Sequence, residues 1–151
     1  YKGKVGLIFR SFILSYHKNG TAAAHAANAA ALQGYWQSYA TILFKNQAEW
    51  EDLEAGKRDI KFRSYFEEAS KGQGNADQFL SDMNSEAVKK KVKSDMAVAK
   101  LVNITETPTI IINGEKLPTI SVNESTFKKT IHEMIDAALK KTESGSSNNT
   151  K

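Results

Sequence analysis

The chain has 151 residues, with 40% hydrophobic and 25% charged side chains; these ordinary globular values allow one sizeable core and argue against a disordered or fibrous body. It contains no cysteine, which excludes disulfide staples, cysteine-type zinc sites and thiol catalysis by these residues, and says nothing of redox compartment. No run reaches the roughly 18 apolar residues of a membrane span, and the first residues carry no apolar signal-peptide region, which a mature chain would in any case have lost.

The net charge of +4 is most concentrated at Lys89, Lys90, Lys91 and Lys93. On a helix these lie mainly opposite Val88, Val92 and Met96, the arrangement of a solvated face, so the charge does not argue for a nucleic-acid partner.

In chain order, Val5 to Phe12 is a short and nearly continuous apolar run that reads as a buried strand. After the Asn19-Gly20 turn signal, Thr21 is placed to cap an alanine-rich helix from Ala22 to Gln33, and Gly34 to stop it. A second helix from Tyr35 to about Asn46 carries the apolar stripe Trp36, Tyr39, Ala40, Leu43 and Phe44. The region from Gln47 to Asn84 reads as small packed helices. Phe62, Tyr65, Phe66 and Ala69 share one face, Lys71 to Gly74 form a stop, and Asn75 caps a turn bearing Phe79 and Leu80. A longer helix opens at Ser85 and ends near Val102, with Val88, Val92, Met96 and Ala99 on its stripe and Asn103 as terminator.

The pattern then changes. Thr109 to Ile112 is β-branched throughout, Asn113-Gly114 is a hairpin turn, and Glu115 to Ile120 can return as an edge strand marked by Pro118. Ser121 to Ser125 supplies caps for a last helix whose stripe is Phe127, Ile131, Met134, Ile135 and Ala138. Residues 142–151, polar at their end, read as a flexible tail. A strand, a block of helices, a hairpin and a helix together imply a sheet covered by helices, an α/β arrangement.

No other residues assemble a familiar chemistry. His17, His25 and His132 lack metal-ligand spacing, so no metal site is expected, and no cofactor is indicated. The sequential carboxylates Glu51-Asp52 and Glu67-Glu68 point in different directions on a helix. Ser11, Ser15 and Ser38 lack a nucleophile elbow, and Tyr35, Trp36, Tyr39 and Trp50 fall on a helical packing period.

The segment from Val102 through Thr107-Pro108 and Ile110-Ile111-Ile112 to Asn113-Gly114 resembles the Thr-Pro loop and hairpin of DsbA-like thioredoxin-fold proteins. The likeness extends back through Phe9 to Phe12, His17 to Ala31, Gln33 to Trp36, Leu43 to Gln47 and Trp50, covering about residues 4–139. It implies an α/β thioredoxin-like sheet in one partial domain, residues 1–141, with a helical insertion at about 21–104. It also implies a cis bond before Pro108, localisation outside the cytoplasm, and a substrate-binding role for Thr107 and Pro108 toward an extended polypeptide or a redox partner protein.

Catalytic members of that family carry Cys-X-X-Cys at the helix after the first core strand. The run at Val5 to Phe12 resembles the strand that follows this helix, so the strand-helix unit and its catalytic residues are expected to be missing here together. Without the central strand the sheet has a gap. This implies either a longer parent chain, strand exchange or a homo-oligomer, or a rearranged sheet. The expected function is therefore that of a thiol-disulfide oxidoreductase family member lacking its redox cysteines. The alternative is a redox-inactive binding or structural module.

Overall fold

The computed structural model describes residues 1–117 and 124–146. The chain divides into two compact units, Phe9–Asn103 and Tyr1–Ile8 together with the residues from Ile104 onward.

The larger unit is built from α1 (Gly20–Leu32), α2 (Trp36–Lys45), a 3₁₀ turn (Gln47–Glu49), α3 (Ala55–Ala69), α4 (Ala76–Met83) and α5 (Glu86–Leu101). Alanine governs its packing. Ala26, Ala27, Ala29 and Ala30 are all buried, and α1 packs against α2, α4 and α5, because side chains this small let neighbouring helices approach on several sides. The volume that alanines leave is filled by rings from the other helices. Phe66 and Phe79 stack with centroids 4.4 Å apart, Tyr39 meets Phe79 at 5.3 Å, and Trp50 lies edge-on to Phe62 at 5.4 Å. Burying each such ring contributes about 2–3 kcal/mol before conformational entropy is subtracted. The polar tips are satisfied: Trp50 Nε1 donates to the Leu43 carbonyl at 2.9 Å, and Tyr39 Oη reaches the Phe62 carbonyl at 3.4 Å.

Helix ends follow the sequence closely at α4 and α5. The Asn75 side chain accepts from the Gln78 N–H, and Ser85 accepts from the Val88 N–H, each satisfying one otherwise unpaired donor. Gly34 and Asn103 both take left-handed backbone, with φ of 83° and 53°, where α1 and α5 terminate. The start of α1 differs from expectation. The helix begins at Gly20, one residue before Thr21, and Asn19 occupies the cap position without a side-chain cap bond. The Asn19 side chain is committed instead to the chain that leads into α3: its Nδ2 donates to the carbonyls of Trp50, Glu51 and Leu53, and its Oδ1 accepts from Arg58. Phe44 falls on the apolar stripe that the spacing predicts for α2 but is 67% exposed, since Tyr39, Ala40 and Leu43 already fill the face toward the core.

The largest correction concerns the expected strand at Val5 to Phe12. Residues 5–14 carry no strand, for a strand needs a ladder partner and none pairs with this run among the described residues. From Ser11 onward the backbone is held by helix side chains instead. The Ser11 N–H donates to Asp95 at 3.0 Å, and the Ile13 N–H to the Met96 sulfur at 3.1 Å. Before it, Phe9 sets its ring 4.6 Å from that of Trp36, while Leu7 and Ile8 stay in solvent, 86% and 78% exposed.

The smaller unit contains β1 (Ile111–Ile112), β2 (Glu115–Lys116) and α6 (Glu124–Ser146). The strands pair antiparallel, Ile111 with Lys116 and Ile112 with Glu115, across a turn in which Asn113 and Gly114 both have positive φ, at 47° and 89°. That is the turn whose twist matches a two-residue hairpin. The Leu117 N–H extends the ribbon by donating to the Ile110 carbonyl at 2.8 Å. Pro118, Thr119, Ile120 and the proposed caps Ser121 to Asn123 lie outside the described residues. Helix α6 packs on β1, and Phe127, Ile131, Met134, Ile135 and Ala138 are half-buried, because so short a ribbon has little area with which to cover them. Tyr1 Oη donates to Asp136 at 2.8 Å, and its ring meets His132 edge-on at 5.6 Å. α6 continues through Ser146, so the first five residues assigned to the tail are helical; residues 147–151 lie outside the described residues. Among the described residues the only sheet is this ribbon, and the architecture is mostly helical rather than a helix-covered sheet.

Candidate functional site

The segment Ile104–Ile110 leads from the end of α5 into the hairpin. Ile104, Thr109 and Ile110 are half-buried and anchor it, whereas Thr107 and Pro108 are exposed. Its bend is fixed from both sides. Thr109 Oγ1 donates to the Glu106 carbonyl at 2.7 Å, and Lys116 on β2 lies 3.9 Å from the Glu106 carboxylate. The Thr107–Pro108 peptide bond is cis. Among the described residues the N–H and C=O of Thr107 have no hydrogen-bond partner. An exposed, locally braced loop with free backbone groups can accept an added extended peptide.

His17 and His132 are exposed; His25 on α1 is half-buried, and burial first, then the nearby Lys89 charge, lowers its pKa. Among the described residues no three acidic or histidine side chains are grouped to hold a metal, and no helix is long and apolar enough to cross a membrane. Tyr39 and Trp50 are buried in the core of the larger unit, with Tyr35 and Trp36 packed partly against it. Lys89, Lys90, Lys91 and Lys93 on α5 are exposed, as a solvated face requires.

A charged cluster in the larger unit was not anticipated. Asp95 is fully buried on α5, yet it accepts from Arg10 Nη1 at 3.0 Å, from the Ser11 N–H at 3.0 Å and from Lys91. Asn28 on α1 completes the contact by donating to Ser11 Oγ at 3.0 Å. Burial acts to raise the Asp95 pKa, but the Lys91, Ser11 and Arg10 hydrogen bonds outweigh it and hold the carboxylate below its ordinary range. The one available signal was Lys91 four residues before Asp95, a spacing that reads equally well as a surface pair.

In the smaller unit an open cleft of about 540 Å³ separates the hairpin from α6; its charged rim is Glu115, Glu133 and Lys141, of which Lys141 donates to Glu115 at 3.0 Å.

Compared with known protein families, residues 1–140 match the family model described as Thioredoxin. The chain belongs to the thioredoxin family. No curated protein and no solved structure matches it. In this thioredoxin-family chain the Thr-Pro loop stands at the entry to the hairpin, and the sulfur chemistry for which the family is named has no cysteine among the 151 residues.

Proposed function

We propose that this chain is the substrate-holding portion of a DsbA-like thiol-disulfide oxidoreductase that acts on extended protein segments outside the cytoplasm. Thr107 pairs its free N–H and C=O with the substrate backbone, and Pro108 packs against it. The attacking sulfur comes from a Cys-X-X-Cys carried by another part of the parent polypeptide or by a redox partner protein. The observation that carries the reading is the unpaired, exposed backbone of Thr107 in a chain that matches the family over residues 1–140. The exposed apolar run at Val5 to Ile8 supports a second part of it: a neighbouring strand, from the parent chain or from a second copy, adds there. The absence of cysteine favours the alternative, a redox-inactive binding module on the same scaffold.

One measurement tests what the two readings share, and a second separates them. Titrating a reduced, unfolded polypeptide into isotope-labelled protein should shift the amide resonances of Thr107 and Thr109 first; no shift at either would overturn the binding loop common to both readings. The intact natural gene product should then exchange disulfides with a reduced protein substrate. A product that contains no cysteine and shows no exchange leaves only the binding module.

A further inference from the structure

The sequence contains two Asn-Gly pairs, Asn19-Gly20 and Asn113-Gly114, and the fold treats them in opposite ways. Asn19 is buried, its amide nitrogen spent on three carbonyls and its oxygen on Arg58, while the Gly20 N–H donates to the His17 carbonyl at 3.0 Å. Asn113 and Gly114 are both exposed at the hairpin turn. Among the described residues neither the Asn113 side chain nor the Gly114 N–H has a hydrogen-bond partner.

We propose that Asn113-Gly114 is a spontaneous modification site, at which the turn converts itself to aspartyl and isoaspartyl forms while Asn19-Gly20 is protected by its contacts. The Gly114 backbone nitrogen gives up its proton to solvent base and attacks Asn113 Cγ. A carbon–nitrogen bond forms, the Cγ–Nδ2 bond breaks, and the side-chain nitrogen takes a proton from water and leaves as ammonia. Water then adds to one of the two carbonyls of the resulting cyclic imide. Opening on one side leaves aspartate, and opening on the other leaves isoaspartate, whose main chain passes through an extra methylene. The net change is amide plus water to acid plus ammonia, with nothing oxidised or reduced. Glycine permits the step because it has no Cβ to crowd the attacking nitrogen, and no neighbouring atom lies within 4 Å of the place where a Gly114 Cβ would sit.

At Asn19 the same step is blocked twice. The carboxamide is clamped by four hydrogen bonds, and the Gly20 nitrogen would have to abandon its bond to His17 before attacking.

The product alters the hairpin at its narrowest point. A new carboxylate lies beside Glu115, which already takes the Lys141 ammonium, and the isoaspartyl link displaces Glu115 from its pairing with Ile112 in a ribbon only two pairs long.

The test is to age the folded 151-residue chain in mildly alkaline buffer, digest it, and quantify acid and isoaspartyl products at each asparagine by peptide mass mapping. A parallel sample is kept unfolded in urea. Folded protein should convert Asn113 at least about tenfold faster than Asn19, a difference of about 1.4 kcal/mol in barrier, and urea should bring the two rates within about twofold. Equal rates at the two sites in the folded chain, or an intact Asn113 after Asn148 and Asn149 have reacted, would overturn the proposal.

Discussion

Arg10 and Asp95 stand 85 positions apart and are joined by a 3.0 Å ion pair whose two ends have opposite surroundings: the Asp95 side chain is fully buried, and that of Arg10 is 49% exposed. With Lys91 also about half exposed, the carboxylate is the member that depends on its partners. Removing it leaves the buried Ser11 N–H unpaired and two cations that water can take back, so Asp95→Ala should lower stability by roughly 2–4 kcal/mol. Arg10→Ala leaves Asp95 two of its three donors and should cost less. Urea unfolding of both variants measures the difference, and equal losses would contradict this account.

The same cluster sets an acid limit. The folded pKa of Asp95 lies below the ordinary 3.8, so the unfolded chain binds the proton first as pH falls. Its contribution is therefore complete above the ordinary carboxylate range and is lost as pH drops through that range to the lower folded value. In Asp95→Asn the acid limb of the stability curve should flatten, which thermal unfolding followed from neutral pH downward will read.

Asn19 makes the third prediction. Asn19→Ala removes four hydrogen bonds and leaves the part-buried carbonyls of Glu51 and Leu53 without this donor, while the Trp50 carbonyl keeps the Leu53 N–H, so it should cost roughly 2–4 kcal/mol, at or above the upper end of an ordinary cap. Asn19→Asp keeps the shape but turns donors into acceptors, and should fare no better. If either variant unfolds within about 0.5 kcal/mol of the parent, the side chain is not the tie described.

How much of this was legible in the sequence depends on what each residue's neighbours could reveal. Asn75 and Ser85 cap helices through bonds to amides three residues ahead, and Asn113-Gly114 closes a turn through its own dihedrals, so local sequence was sufficient. The aromatic stripe of Phe62, Tyr65 and Phe66 was readable from helical period. Val5 to Phe12 was not, because its β-like composition describes what the segment would do beside a partner, and pairing is a property of two segments. Asp95 and Asn19 were missed for a related reason: a charged residue on a lysine-rich helix and an asparagine before a glycine look local, while the Ser11 and Arg10 partners of Asp95 lie 84 and 85 positions away and those of Asn19 31 or more. The exposed Thr107 and Pro108 were named from resemblance, and their spacing alone would have indicated only the start of a strand.

Gly74 is constrained by space. A Cβ there would lie 2.7 Å from two ring atoms of Phe66 and 2.9 Å from Ser70 Cβ. Phe66 is fully buried and stacked on Phe79, so its ring has no free direction in which to retreat. Gly74→Ala should therefore destabilise by about 1–3 kcal/mol despite shortening the list of unfolded conformations, an effect that alone would favour alanine by less than about 1 kcal/mol. A companion Gly56→Ala, at a position with open space around it in the first turn of α3, should be neutral or stabilising. Opposite signs in thermal unfolding would confirm that packing decides the outcome.

Tyr39 sets the alkaline limit in the same way that Asp95 sets the acid one. Burial first, then the Tyr65 and Asp59 charges, raises its phenol pKa well above the ordinary 10.0, so the folded chain holds this proton after the unfolded chain has released it. The folded state then binds more protons than the unfolded state, and stability falls as pH rises past 10.0. Tyr39→Phe removes the titration and leaves the ring packing against Phe66 and Phe79 in place. The bond that it loses is the long 3.4 Å contact to the Phe62 carbonyl, so near neutral pH the variant should lie within about 1 kcal/mol of the parent. Above pH 10.0 the gap should narrow or reverse, because only the parent continues to lose stability through this group. Urea unfolding at neutral pH and again in the alkaline range measures both halves, and a pH-independent difference between the two proteins would show that Tyr39 ionises as freely in the fold as out of it.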